Sequence, residues 1–235
     1  MKASVHTRAV GLLTLTLGSL AISTITGHSQ TDVPRGSLSV DKDLVRVGTR
    51  SNLEWNIEFP TAIKDIVTVE ETGTIVPKTN LKMRVRVLGV AFQSGSTLLP
   101  LDAYYSMNNG SWEKFFYGTG PTVNSSSVLI DKTVKKSDRI DFGARGWGGS
   151  SWLPFNHTRA TTKYVTVLGN GSSAPSYAPA YNQNSVTSFL RPYINSAGKI
   201  TIGERDLIIL WESSTASPGS TYFDMQDLVV LVSFE

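Results

Sequence analysis

Two unbroken apolar runs near the C-terminus constrain this chain more than any other feature: Leu207 to Trp211, and Leu228 to Val232 with Phe234 just beyond. A strand with one buried face alternates apolar and polar residues, so a run without alternation needs cover on both faces. Both runs have strand length and are rich in β-branched residues, which suit a pleated, packed surface. Between them lies Ser213-Ser-Thr-Ala-Ser-Pro-Gly-Ser220, turn chemistry with no helical period. Asp206 to Glu235 is therefore predicted to be one β-hairpin. Its last strand is too apolar for an open edge and is expected at the centre of a sheet.

Upstream the same reasoning gives shorter strands. Leu53, Trp55 and Ile57 alternate with Asn52, Glu54, Asn56 and Glu58, a half-buried strand after Gly36–Val40, Leu44–Val47 and a bend at Gly48, and before Pro60. An opening strand pair with a glycine bend and a core tryptophan resembles the start of immunoglobulin-like sandwiches, which implies a fold class and no function. Ile66–Glu70 reads as a short strand and Thr72–Asn80 as a turn-rich connection. Leu81, Met83, Val85 and Val87 face one way, and Lys82, Arg84 and Arg86 form a basic row that would discourage edge pairing.

Leu101 to Tyr117 is expected to be a hairpin turning at Asn109-Gly110, with Met107 opposite Trp112, Tyr105 opposite Lys114 and Tyr104 opposite Phe115. Val128–Val134 and Arg139–Ala144 are expected to pair across the turn Lys135–Asp138, and Tyr164–Leu168 is a further strand. One short helix is expected near 185–191, with Val186, Phe189 and Leu190 at helical spacing and Pro192 behind. About a dozen short strands between Gly, Pro, Asn and Ser turns predict an all-β chain: a single β-sandwich or jelly-roll-like domain over residues 30–235.

Residues 1–29 have the form of a secretory signal: Lys2 and Arg8, then a mostly apolar stretch to Ile25, then small residues. The expected location is secreted, periplasmic or cell-surface, with no membrane span after signal removal. The whole chain has 22 bases, 19 acids and a net charge of +3. The signal holds two bases and no acid, leaving 20 against 19, or +1. Nucleic acid is not an expected partner of so balanced a chain. No cysteine is present, which excludes disulfides, thiolate metal sites and a cysteine nucleophile.

The sequence lacks a Gly-x-Ser-x-Gly elbow and phosphate-binding glycine loops. His157 is the only histidine well inside the mature chain, too few for a histidine metal set. Acids are numerous enough for a glycosidase, but no spacing singles out a facing pair. Between Phe142 and Gly203 there is no acid, while Arg145, Arg159, Lys163, Arg191 and Lys199 are present. In this span Arg145, Trp147, Trp152, Asn156, Tyr177 and Tyr181 are candidates for a ligand platform, since exposed rings with polar handles suit sugars and protein surfaces. They could equally roof the sandwich beneath long loops.

Three carboxylates, Glu212, Asp224 and Asp227, bracket the connection of the terminal hairpin. Glu212 followed by Asp224-Met-Gln-Asp227-Leu-Val-Val resembles the acidic hairpin of some secreted bacterial β modules. That resemblance covers about thirty residues and implies calcium held by these three acids, although residues 213–223 supply no further acid. The alternative is that Asp224 and Asp227 accept N–H bonds at the turn. No cofactor is required; calcium is the one candidate. The functional expectation is an exported, non-enzymatic binding or structural component of the cell envelope or an extracellular assembly, with a protein or carbohydrate partner outside the cytoplasm. The alternative is a carbohydrate-active module, a sugar-binding domain before a glycosidase.

Overall fold

The computed structural model describes residues 35–40, 53–58 and 61–235. The signal segment expected at 1–29, the strand expected at Leu44–Val47, the bend at Gly48 and the stop at Pro60 lie outside the described residues. In chain order the strands are β1 (Arg35–Val40), β2 (Leu53–Glu58), β3 (Val67–Val69), β4 (Ile75–Pro77), β5 (Leu81–Gly89), β6 (Gln93–Ser94), β7 (Thr97–Leu98) and β8 (Leu101–Met107). Then come β9 (Glu113–Gly118), β10 (Ile130–Val134), β11 (Ile140–Gly146), β12 (Asn156–His157), β13 (Val165–Gly169), β14 (Asp206–Trp211) and β15 (Leu228–Phe234). The α-helices are α1 (Ile63–Ile66) and α2 (Val186–Leu190), the latter within the window expected from sequence.

The fold is an all-β sandwich. One sheet has the order β10-β5-β15-β14-β13; the other has β3-β4-β11-β8-β9, with β12 added beside β11. All pairings are antiparallel, so each sheet can carry distinct chemistry on its two faces. The inner faces share one core. Met83, Val85, Leu207, Ile209, Val230 and Val232 from the first sheet meet Leu101, Ala103, Ile140 and Phe142 from the second.

The terminal hairpin forms as its apolar runs require, with Asp206 opposite Ser233 and Trp211 opposite Leu228, and β15 is central. Every residue of β14 and β15 is buried. The outward side chains Ile208, Leu210, Val229 and Leu231 lie in a second cluster with Val186, Leu190, Ile200, Phe223 and Met225. Helix α2 and the long connections on either side of β14 therefore roof the first sheet. That roof is why the two runs lack alternation.

Several sequence expectations are corrected. Trp55 is not a core residue: it is 70% exposed, and β1 and β2 pair only with each other. β10 and β11 do not form a hairpin; β10 pairs with β5 and β11 with β8, so the turn Lys135–Asp138 carries the chain from one sheet to the other. The basic row of β5 guards no edge, because β5 lies between β10 and β15, where Lys82 and Arg84 pair with Asp131 and Arg84 also with Glu235. The connection Thr72–Asn80 contains β4.

The β8–β9 turn is centred on Asn108 and Asn109, both with positive φ (52° and 58°), while Gly110 N donates to Met107 O at 2.8 Å. Ala103 pairs with Phe116, in the register expected from sequence. A bulge after Ala103 then shifts Tyr104 onto Lys114 and Tyr105 onto Glu113.

Candidate functional site

Strands β14 and β15 bring Glu212 and Asp227 together, because the pair Trp211–Leu228 is the last rung of the hairpin and both acids follow directly from it. Asp224 comes from the connection between the strands. All three are buried: Glu212 is 1%, Asp224 3% and Asp227 6% exposed. Each carboxylate holds backbone. Glu212 Oε2 accepts the N–H groups of Asp224 (2.9 Å) and Met225 (3.3 Å), and its Oε1 accepts Ser214 N–H at 3.1 Å. Asp227 Oδ2 accepts Ser213 N–H at 2.5 Å.

Asp224 reaches further. Its Oδ1 accepts Gln226 N–H at 3.3 Å; its Oδ2 accepts Gln226 Nε2 at 2.8 Å, Ala180 N–H at 3.3 Å and Gln183 Nε2 at 3.5 Å. Met225, between the two acids, has a positive φ of 56°, which turns the chain so that its N–H reaches Glu212. The turn role weighed in the sequence, acids accepting N–H bonds, is therefore present in the geometry.

The electrostatics are unusual because, among the described residues, no basic side chain lies among these acids. Burial, and then the Glu212 carboxylate, push the Asp224 carboxyl up to about 6. Burial, and then the Glu212 carboxylate, also hold Asp227 well above the ordinary carboxyl range. Gln226 is fully buried, and its Oε1 has no hydrogen-bond partner; Gln183 Oε1 and Ser213 Oγ are in the same condition.

Beside the three acids opens a cavity of about 320 Å³, also lined by Phe92, Gln93, Tyr181, Gln183, Thr215 and Tyr222. The rings of Tyr181 and Tyr222 stand 6.1 Å apart, and Tyr222 is 56% exposed. Among the described residues no group of three His, Cys, Asp or Glu side chains is arranged to hold a metal ion.

The six platform candidates are divided between places. Tyr181 joins the acids in this cavity, and Tyr177 packs edge-to-face on Phe223 beside a neighbouring hollow on the same roof. Asn156 faces the terminal hairpin: its Nδ2 donates to Glu212 O at 3.2 Å, and its own O accepts Trp211 Nε1 at 3.2 Å. Arg145, Trp147 and Trp152 lie together on the outer face of the second sheet. There the two tryptophans form a bridge with ring centroids 5.4 Å apart, and the Arg145 guanidinium lies 4.5 Å above the Trp152 ring.

That outer face carries more than the sequence suggested. Tyr104 and Trp112 pack edge-to-face on Phe155, His157 lies tilted against Trp112, and Arg159 stacks over Trp112 at 4.5 Å. Phe155 sits where a side chain at Gly143 would be, since a β-carbon there would lie 2.4 Å from Phe155 Cζ. Beneath the rings, Asp141 is fully buried and accepts Thr74 Oγ1 at 2.6 Å and Arg159 Nε at 3.0 Å. In the sequence Asp102 and Asp141 show only as polar positions alternating with core residues on β8 and β11. Gln226, Gln183 and Tyr222 have no signal, because only the folded roof brings them to the acids.

Fold and site together define an all-β sandwich with an acid-lined cleft at one end of its central hairpin. Compared with protein-family models, with curated proteins and with solved structures, the chain matches none.

Proposed function

We propose that this protein is exported and works by binding, as a component of the cell envelope or of an extracellular assembly, and that it takes its ligand in the cleft at the end of the terminal hairpin. The carrying observation is the convergence of Tyr181 and Tyr222 with Glu212, Asp224 and Asp227 on one cavity. A concave site with a few convergent polar groups and a carboxyl displaced from its ordinary range is where binding is first sought. The signal-like N-terminus supports export.

The lining is rich in acceptors and contains no lysine, arginine or histidine. It thus suits a ligand that presents hydroxyl donors and an apolar ring face, which is the chemistry of a carbohydrate. The test is a glycan array probed with wild type, Tyr181→Ala and Tyr222→Ala. A glycan bound by wild type and lost in both variants is the expected result; retention in both removes the cleft from the reading.

One observation favours a second reading, calcium. Among the described residues these three buried carboxylates have no basic partner, and the amide that donates to Asp224 leaves its own oxygen, Gln226 Oε1, unpaired. Hard oxygens with a surplus of negative charge suit Ca²⁺. The three acids would hold it by turning from backbone N–H groups toward the ion. Millimolar calcium is expected to raise the melting temperature by about 3–6 °C if it exceeds Kd tenfold. Asp224→Asn and Asp227→Asn should each abolish that rise, and a wild-type melt indifferent to chelator removes calcium.

A further inference from the structure

We propose that the outer face of the second sheet binds an acidic polysaccharide, with a carboxylate or sulfate of the ligand seated between Lys114 and Arg145. This surface uses none of the cleft residues and stands independently of them. Its starting point is a charge imbalance fixed by the fold. Asp102, on β8, is 1% exposed and receives Lys114 Nζ at 2.9 Å and Arg145 Nη2 at 3.4 Å. Two cations thus share one buried carboxylate, and among the described residues no second acid is paired with either of them. The other cation of the face, Arg159, has Asp141 to itself.

Both unbalanced cations keep access to solvent, with side chains 47% and 33% exposed. Neither is free to wander. The Arg145 guanidinium lies 4.5 Å over Trp152 and 5.7 Å over Tyr104, and its Nη2 donates to Tyr104 Oη at 3.2 Å. The Lys114 ammonium stands 5.4 Å from the Tyr117 ring and 5.7 Å from the Tyr104 ring. Tyr104 Oη in turn donates to Asp102 Oδ2 at 2.7 Å, which ties ring, acid and both cations into one unit. The Asp102 carboxylate 2.9 Å away raises the lysine's pKa above its ordinary value.

Cations fixed in this way lose little freedom when an anion arrives, and a planar guanidinium matches a carboxylate or sulfate with two parallel N–H groups. The rings that hold the cations also point to the rest of the ligand. Tyr117 is 60% exposed and Trp152 is partly exposed, on either side of the charged pair. Rings flanking a bound anion offer stacking to the apolar faces of sugars linked to the charged one. An acidic polysaccharide supplies both groups in one repeating chain. An acidic peptide supplies the charge without a sugar ring to stack.

The experiment measures binding of the full chain to polygalacturonate, heparin, dextran and poly-glutamate by affinity electrophoresis at physiological salt. Wild type should bind polygalacturonate or heparin and leave dextran unbound. Lys114→Gln and Trp152→Ala should each weaken binding about tenfold, the scale of one desolvated cation or ring contact. Lys136→Gln removes the same charge from the exposed turn before β11 and should change binding less than twofold. The proposal is overturned by equal weakening in Lys136→Gln, by undiminished binding in Lys114→Gln, by binding of dextran as tight as of the polyanions, or by failure of both polyanions to bind. Tighter binding of poly-glutamate than of either polysaccharide also overturns it, in favour of an acidic protein partner. The Lys114 side chain is about half exposed, and Tyr104 and Arg145 still hold Asp102 without it, so its variant should fold and decides the matter even if Trp152→Ala does not.

Discussion

Asp224 occupies a place that disfavours its own charge. Its folded-state carboxyl is raised from 3.8 to about 6 by burial and by Glu212. A raised pKa means that the folded state binds the proton more tightly than the unfolded chain does. Stability from this group is therefore fully present below the unfolded value and is lost as pH rises through the folded one. The shift corresponds to at most about 3 kcal/mol, less where the cleft admits water. On acidification from pH 7 to about pH 5 Asp224 should contribute a rise in melting temperature; Asp227, raised in the same direction, adds to it, and His157, whose pKa burial lowers, opposes it. Glu70, Asp131 and Asp138 act oppositely, each held low by hydrogen-bonded partners, so their contributions fail only at more acidic pH. In Asp224→Asn the slope of melting temperature against pH between 5 and 7 should flatten. An unchanged slope would mean that Asp224 does not titrate in this window. The bracketing of the hairpin by Glu212, Asp224 and Asp227 was legible in the sequence because hairpin ends meet. The approach of Gln183 and Tyr181 was not: it depends on a segment some forty residues away folding over the sheet.

Element by element, alternation and turn chemistry located strands well and their partners poorly. The terminal hairpin was legible because its two runs demand cover, and β5 because basic and apolar residues alternate along it. The turn Lys135–Asp138 looks like a hairpin turn, with Ser137 at φ 68° and Lys135 N–H donating to Asp138 Oδ2 at 2.7 Å, yet it joins strands of different sheets. Nothing local records that, since each strand's partner lies far away in sequence. The β8–β9 turn shows the same limit on a smaller scale. Asn-Gly is the stronger hairpin signal, but Asn108-Asn109 takes the two left-handed positions and the bulge after Ala103 absorbs the shift. Asn109→Val should therefore cost about 1–2 kcal/mol, because a β-branched residue tolerates positive φ badly, while Asn109→Gly should be neutral or stabilising. Urea denaturation of both variants checks the turn; equal stability would move it. The β1–β2 pair gives a further contrast. Trp55 alternates like a core residue but is 70% exposed, so Trp55→Ala should change the unfolding free energy by less than about 0.5 kcal/mol. A larger loss in the same measurement would return this ring to a packed environment.

At the scale of the molecule, the first sheet is the middle layer of three: sandwich core on one side, roof on the other. A sandwich with a solvated outer face would tolerate changes at the outward positions of β14, whereas here both faces of that strand should matter equally. Ile208 and Ile209 are adjacent, and neither has any exposed surface. Ile209 packs in the core between the sheets, and Ile208 in the cluster beneath α2 with Leu190, Ile200 and Met225. Removing a buried isoleucine to alanine costs its transfer free energy plus the cavity left behind, about 2–5 kcal/mol. Ile208→Ala and Ile209→Ala are therefore both expected in that range by urea denaturation. The transition of Ile208→Ala should remain single, because the same roof is pinned to the end of β14 through Glu212 and to the loop before α2 through Asp224. A cost below about 0.5 kcal/mol for Ile208→Ala, or an early separate transition, would show a roof that opens independently of the sandwich. The cleft would then be formed only part of the time, and its ligand affinity would be scaled down to the fraction of molecules in which it is formed. Equal costs and one transition would instead make the cleft as rigid as the core, with its acids held in place by the same cooperative unit that buries β15.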